Sequence, residues 1–143
     1  MIQPQIPGKP LPDLPGTTEE LEMIERHINP PNGSRSVNFI KLGTDDSPTS
    51  VDGILSLLPE VSFAHFACHG SQNFFKPLES GLHLSDGELK IAQIMRHPLP
   101  HASLAFLSSC ETAKGAEDDP DEALHIAATM LYTGFRGVVG TMW

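Results

Sequence analysis

The sequence has few cysteines, few basic residues and no long apolar run. Its two cysteines, Cys68 and Cys110, are too few for a disulfide framework and are expected to be free thiols in a reducing compartment. Acidic residues outnumber basic ones 18 to 9, so the net charge of -9 argues against nucleic acid or an anionic membrane as a partner. No segment approaches the roughly 18 apolar residues of a membrane helix, and the N-terminus lacks the pattern of a signal peptide. We therefore expect an intracellular, cytoplasmic protein.

The length and the proline distribution predict one folded domain behind a short linker. A chain of 143 residues is close to the usual size of a single domain. Five prolines lie within residues 1–16, where each fixes its own backbone and disfavours helix at the residue before it. We expect this stretch to be an extended, poorly packed linker and residues 17–143 to form the domain.

Hydrophobic spacing predicts strands that alternate with helices. Thr17 and Glu20 have the spacing of a capping box at the start of a helix that ends at Ile28, and further helices are expected at 49–58, from 91, and at 121–132. Strands are expected at 37–42, 61–67, 103–108 and 137–143, with a hairpin turn at Asp86 and Gly87. The strands at 61–67 and 103–108 are apolar on both faces, as in a covered sheet. The alternation predicts an α/β/α sandwich with a largely parallel sheet.

Two residues that suit acyl transfer follow these two buried strands. His69 comes directly after strand 61–67 and Cys110 comes just after strand 103–108. Functional residues of open α/β sheets gather at the carboxyl ends of the strands, so we expect the thiol and the imidazole at the same edge. An ordinary thiol has a pKa of about 8.5 and needs a nearby imidazole to act as a nucleophile at neutral pH. The amides of Gly70 and Cys110 could then stabilise the oxyanion of a tetrahedral intermediate.

Other interpretations of these polar residues are weaker. A zinc site from His65, Cys68, His69 and Cys110 is disfavoured, because a strand points residues 68 and 69 to opposite sides and no second close ligand pair is present, so no metal or other cofactor is expected. Cys68 is expected in the core, and His65 in the core or sheet. The acidic run at 117–122 is most simply solvated, although beside Cys110 it could favour basic substrates.

Four segments in order resemble the signature of the CHAT domain family: HFACHG at 65–70, GLHLSDG at 81–87, LSSCETA at 107–113 and GVVGTMW at 137–143. The LPGT entry at 14–17 is similar too, and the acidic loop before His125 is most similar to fungal members. The family is related to caspases and separases, and the resemblance implies a caspase-like α/β/α fold. It also implies an endopeptidase in which Cys110 attacks the scissile carbonyl and His69 protonates the departing amine.

The resemblance carries further expectations about substrates, partners and chain length. Proteins or peptides are the expected substrates, and helical-repeat (TPR) or signalling domains are expected in the full-length protein. Apart from the resemblance, Asp86 lies on a turn and is most simply a turn residue, but it and Glu111 are also candidate substrate-binding residues. The family pattern continues beyond position 143, which predicts that the chain is a C-terminally truncated fragment. Ser-Ser-Cys-Glu around Cys110 differs from the caspase signature, so aspartate specificity does not transfer. A catalytically silent regulatory or protein-interaction module is the alternative function.

Overall fold

The computed structural model describes residues 1–2, 11–28, 37–44, 47–73, 75–108 and 126–140. Within these ranges the helices are α1 (Gly16–Ile28), α2 (Val51–Leu57), α3 (Ile91–Ile94) and α4 (Ile126–Leu131). The strands are β1 (Phe63–Phe66), β2 (Gly70–Ser71), β3 (Gly81–His83), β4 (Glu88–Lys90), β5 (Leu104–Leu107) and β6 (Gly137–Gly140). No helix in these ranges is long and apolar enough to cross a membrane.

The central sheet is parallel and runs in the order β1-β5-β6. Phe66 on β1 pairs with Leu107 on β5, and Leu107 pairs with Gly140 on β6. Phe66 and Leu107 are buried in the main hydrophobic cluster, as predicted, whereas Phe63 at the start of β1 is 71% exposed, so β1 is not covered along its whole length. The neighbouring residues point to the other face.

Helices lie on both faces of this sheet. On one face Glu20 of α1 contacts His65 of β1. On the other face Ala127 of α4 packs so closely on Gly140 of β6 that a Cβ at Gly140 would lie 3.0 Å from the Ala127 Cβ. The predicted α/β class with a parallel sheet between helices is confirmed.

A second, antiparallel sheet has the order β2-β3-β4 and follows directly from the end of β1. Its strands β3 and β4 form the predicted hairpin around Asp86 and Gly87. Leu82 and Leu89 are paired on the inner face and fully buried. Residues of alternate position face outward from the core.

Two local predictions near the N-terminus are wrong. Residues 37–42 do not form a strand, and Val37 and Ile40 are exposed. The edge of β1 is instead extended by Ile2, which forms a parallel bridge with Ala67 and is only 3% exposed, so the expected poor packing does not hold at this residue. Ile2 also donates its backbone N–H to the Leu42 carbonyl at 2.9 Å, which holds the end of segment 37–42 beside it.

The predicted capping box at the start of α1 is also wrong. The Thr17 hydroxyl donates to the Leu14 carbonyl at 2.8 Å, and so does the Thr17 backbone N–H at 3.2 Å. The Glu20 carboxylate contacts His65 instead of returning to the helix start. The Glu20 carboxylate therefore binds His65, which is distant in sequence, and not the backbone at the start of its own helix.

Candidate active site

His69 lies at the carboxyl edge of the central sheet, between the end of β1 and the start of β2. Its side chain is buried, with 8% of the residue exposed. The ring Nε2 lies 2.7 Å from the Pro12 carbonyl oxygen. Since a carbonyl can only accept a hydrogen bond, Nε2 carries a proton and donates it to Pro12. In the neutral ring this leaves the basic lone pair on Nδ1.

The backbone at His69 and Gly70 is oriented by the small sheet. The His69 carbonyl accepts a hydrogen bond from the His83 N–H at 2.8 Å, so it points toward β3. The peptide bond is trans, and the N–H of Gly70 therefore points to the opposite side, away from β3. This amide is thus not used in the β2–β3 ladder, in which Gly70 lies opposite Leu82.

Cys68 is a core residue, as predicted. It is fully buried within the main hydrophobic cluster. Burial raises the pKa of its thiol to about 12, which the N-terminal ammonium offsets only in part. The thiol is therefore un-ionised at neutral pH and is a poor nucleophile.

His65 is a sheet residue, also as predicted. It lies on β1, with its ring 5.2 Å from the ring of Phe106 on β5 and its Nε2 3.1 Å from the Glu20 carboxylate. Burial lowers the pKa of His65, and the Glu20 carboxylate partly offsets this. Among the residues that the structure describes, no three His, Cys, Asp or Glu side chains are grouped closely enough to hold a metal ion.

Asp86 is placed at the start of α2. Its carboxylate oxygens accept from the backbone N–H of Val51 at 3.0 and 3.2 Å. The Ser50 hydroxyl accepts from Gly53 N–H at 3.1 Å at the same helix end. Asp86 thus supplies one of the acceptors that the first turn of a helix lacks.

Cys110, Glu111 and the acidic run at 117–122 lie outside the described residues. The strand that leads to Cys110 is described, and it is adjacent to β1 and parallel to it. Leu107 pairs with Phe66, and the next residue, Ser108, donates its N–H to the Phe66 carbonyl at 2.8 Å. In sequence, His69 follows Phe66 by three residues and Cys110 follows Leu107 by three residues.

Pro12 is the residue that sequence reasoning missed. It is 57 residues from His69 in the chain and lies in the stretch predicted to be a linker. Only its backbone carbonyl takes part in the contact. Since every residue has a backbone carbonyl, no residue type or spacing could have indicated this role.

A parallel sheet between helices, with a buried histidine at its carboxyl edge, defines an α/β protein with a candidate site where the strands end. The chain belongs to the CHAT domain family, which it matches over residues 4–143. This confirms the resemblance drawn from the four ordered segments and assigns the chain to a caspase-like peptidase family. No curated protein matches the chain.

Proposed function

We propose that the chain carries the catalytic residues of a cysteine endopeptidase that cleaves proteins or peptides through the Cys110 thiol and the His69 imidazole. Two observations besides the family support this. β1 and β5 are adjacent, parallel strands, and the two residues follow paired positions at equal distance along the chain. Cys68, the other thiol, is fully buried and un-ionised, which leaves Cys110 as the candidate nucleophile.

The contact between His69 and Pro12 is the observation on which this proposal mainly depends. A general base must present a lone pair to the proton that it removes, and in a neutral imidazole only one nitrogen has it. Because Nε2 donates to the Pro12 carbonyl at 2.7 Å, Nδ1 is the nitrogen that can accept the thiol proton. The same carbonyl would stabilise the imidazolium, since its oxygen accepts from the Nε2–H in both protonation states.

The proposed reaction has two stages. His69 Nδ1 takes the proton of the Cys110 thiol, and the thiolate attacks the scissile carbonyl to form a tetrahedral oxyanion. The N–H groups of Gly70 and Cys110 would donate to that oxyanion, and such a donor contributes roughly 3 kcal/mol. The C–N bond then breaks as His69 returns the proton to the leaving amine. Water, deprotonated by His69, hydrolyses the thioester and regenerates the thiol.

This chemistry needs no cofactor, because the thiol, the imidazole and the backbone amides supply every group that reacts. Asp86 is given no role in the reaction, because its carboxylate already accepts a hydrogen bond from the Val51 amide at the start of α2. Glu111 remains a candidate contact for substrate. A cytoplasmic location and appended helical-repeat or signalling domains are part of the same proposal.

Thiol alkylation by iodoacetamide tests the assignment. The wild-type chain and Cys68→Ala are expected to be labelled equally fast at pH 6.5, whereas Cys110→Ala is not labelled. Since an unassisted thiol is only a few per cent ionised at neutral pH, His69→Gln is expected to slow labelling of Cys110 by roughly tenfold. Equal labelling of Cys110→Ala and Cys68→Ala would overturn the choice of nucleophile.

A second measurement separates an active peptidase from a silent module. A cell lysate is incubated with the wild-type chain or with Cys110→Ala, and newly formed protein N-termini are identified by mass spectrometry. A set of N-termini present only with wild type supports the endopeptidase. Rapid His69-dependent labelling without any new N-termini would favour the regulatory alternative.

A further inference from the structure

A cleft of about 860 Å³ lies on the outer face of the small sheet, beginning two residues beyond His69. Its floor is made of outward-facing residues of the three strands, namely Ser71, His83, Glu88 and Lys90. The loop after β2 forms one wall. Because β2 begins at Gly70, the same strand carries the proposed oxyanion donor and the floor of the cleft.

Glu88 is the acidic group on this floor. Its side chain crosses Gly81, where a Cβ would lie 2.7 Å from the Glu88 Cγ, and its carboxylate accepts the hydroxyl proton of Ser71. A carboxylate offers about four acceptor positions, so most of its capacity remains available. Within the described ranges Glu88 forms no ion pair.

The nearest cation on the same strand is already paired. The Lys90 ammonium lies 2.5 Å from the Glu79 carboxylate, which raises the pKa of Lys90 through a hydrogen bond and charge attraction. Lys76, at the rim, is exposed to solvent. Lys90 also attracts the Glu88 carboxylate through its charge, but among the described residues no cation forms a direct ion pair with Glu88. Of the two carboxylates that line the cleft, Glu79 has a direct cationic partner and Glu88 has none.

An exposed aromatic ring stands on the wall of the cleft. Phe75 is 97% exposed, and a turn holds its backbone in place. The Asn73 side-chain oxygen accepts from the N–H groups of Phe75 and Lys76 at 3.1 and 2.9 Å, and the Asn73 N–H donates to the buried Ser80 hydroxyl at 2.9 Å. Such a ring provides a flat apolar face for a ligand.

Gln72, which also lines the cleft, has a buried side-chain amide whose nitrogen and oxygen both lack a hydrogen-bond partner among the residues that the structure describes. An unsatisfied buried amide costs about 1–3 kcal/mol and calls for an explanation. A peptide would supply both missing partners, a carbonyl for the amide nitrogen and an N–H for the oxygen. Since the amide is covered, the side chain must turn outward to bind.

We propose that this cleft is the subsite that selects the substrate, and that it takes an arginine side chain of an extended peptide. This rests on the proposed peptidase function. The guanidinium would donate to the free oxygen positions of Glu88 and lie flat against Phe75, while Gln72 pairs with the peptide backbone. Arginine suits the site better than lysine, because its planar group can bind a carboxylate with two parallel hydrogen bonds and stack on an aromatic ring.

Peptide binding to the Cys110→Ala chain tests this without any turnover. The probes are two fluorescein-labelled hexapeptides, Ala-Ala-Arg-Ala-Ala-Ala and the same peptide with uncharged, isosteric citrulline in place of arginine. Fluorescence anisotropy is expected to show that the arginine peptide binds at least roughly tenfold tighter, as for a hydrogen bond to a charged group. In Glu88→Gln the two peptides are expected to bind equally.

Two further variants exclude less specific explanations. Glu60→Gln removes one exposed negative charge from the turn after α2 and is expected to keep the tenfold preference for the arginine peptide. If this variant lost the preference, attraction by the net charge of the protein alone would explain the binding. Gln72→Leu removes the unsatisfied amide and is expected to raise the Tm while weakening the binding of both peptides.

The outcomes for the two proposals are distinguishable. The arginine subsite is overturned if the Cys110→Ala chain binds the two peptides equally. It is also overturned if neither peptide binds at about 1 mM, which is on the order of the weakest specific affinity. That result leaves the cysteine peptidase intact if His69-dependent labelling of Cys110 is observed. Conversely, a clear arginine preference with no labelling of Cys110 would retain the subsite as a peptide-binding cleft and overturn the peptidase.

Discussion

Glu20 on α1 and His65 on β1 join the first helix to the central sheet, with 3.1 Å between the carboxylate oxygen and the ring Nε2. Their side chains are 30% and 20% exposed, so both are partly withdrawn from water. Such a pair links the packing of a helix to the protonation of a ring. Its effect on stability therefore depends on pH.

The unfolding free energy is expected to fall as the pH is lowered from 7.5 to 5.5, in part because of His65. Burial lowers the pKa of His65 in the folded state, so below about pH 6.5 the unfolded chain binds the proton more readily than the folded chain does. The contribution is therefore present above that pH and lost below it. Urea denaturation at each pH is expected to show that the unfolding free energy of His65→Gln falls less between pH 7.5 and 5.5 than that of wild type.

Glu20→Gln provides the matched comparison for this pair. The Glu20 carboxylate raises the pKa of His65 against the effect of burial, so its removal is expected to lower that pKa further and steepen the loss of stability on acidification. If Glu20→Gln and His65→Gln changed the pH dependence in the same direction, the pair would not act as described.

Asp86 is expected to contribute to stability through α2. Asp86→Ala removes the acceptor for the Val51 N–H and is expected to cost about 1 kcal/mol of unfolding free energy, similar to the loss of a helix cap in Ser50→Ala. Asp86→Asn keeps an acceptor oxygen and is expected to lose less. Asp86→Ala, Asp86→Asn and Ser50→Ala are all expected to bind the arginine peptide with unchanged affinity. Weaker binding by Asp86→Ala alone would instead indicate that Asp86 contacts the substrate.

The Pro12 carbonyl is expected to matter more than the proline ring. Pro12→Ala retains a carbonyl at this position and is expected to leave the alkylation rate of Cys110 almost unchanged. Deleting Pro12 shifts the register of the segment and is expected to misalign the carbonyl that accepts from His69 Nε2, so labelling is expected to slow by up to roughly tenfold, the effect of His69→Gln. Equal rates for the deletion and wild type would show that the ring is positioned by other contacts.

Gly81 and Gly87 form a matched pair for the shape of the hairpin. A Cβ at Gly81 would lie 2.7 Å from Glu88 Cγ and 2.8 Å from the Leu89 carbonyl oxygen, so Gly81→Ala is expected to cost roughly 1–3 kcal/mol and to displace the Glu88 side chain. Among the described residues, a Cβ at Gly87 would meet only Val51 Cγ2, at 3.8 Å, and Gly87→Ala is expected to change the stability by less than about 0.5 kcal/mol. Thermal unfolding of both variants tests the contrast.

The central elements were predictable because their signals are local and repeated. The apolar runs that contain β1 and β5 indicated buried strands, and the turn at Asp86 and Gly87 indicated the hairpin. His69 could be placed at the sheet edge because it directly follows such a run. The family was recognisable because four separate segments occur in the right order.

The failures arise where a distant partner replaces a local one. Residues 37–42 have the composition of a strand, but Ile2 takes the position at the edge of β1. Thr17 and Glu20 have the spacing of a capping box, but His65, 45 residues beyond Glu20, binds its carboxylate. The contact of Pro12 with His69 and the buried amide of Gln72 also depend on tertiary packing, which single-residue propensities do not contain.

The pairing of β1 with β5 has a consequence for how the chain can tolerate insertions. His69 and Cys110 each follow a paired position, Phe66 or Leu107, by the same number of residues. One residue added within β1 or β5 alone would advance the part of the chain that follows it by about 3.3 Å and turn it to the other face of the sheet. One residue added to each of the two strands would keep the relative position of His69 and Cys110. A dyad of these residues therefore constrains the lengths of the two segments jointly, while leaving much of their composition free to vary.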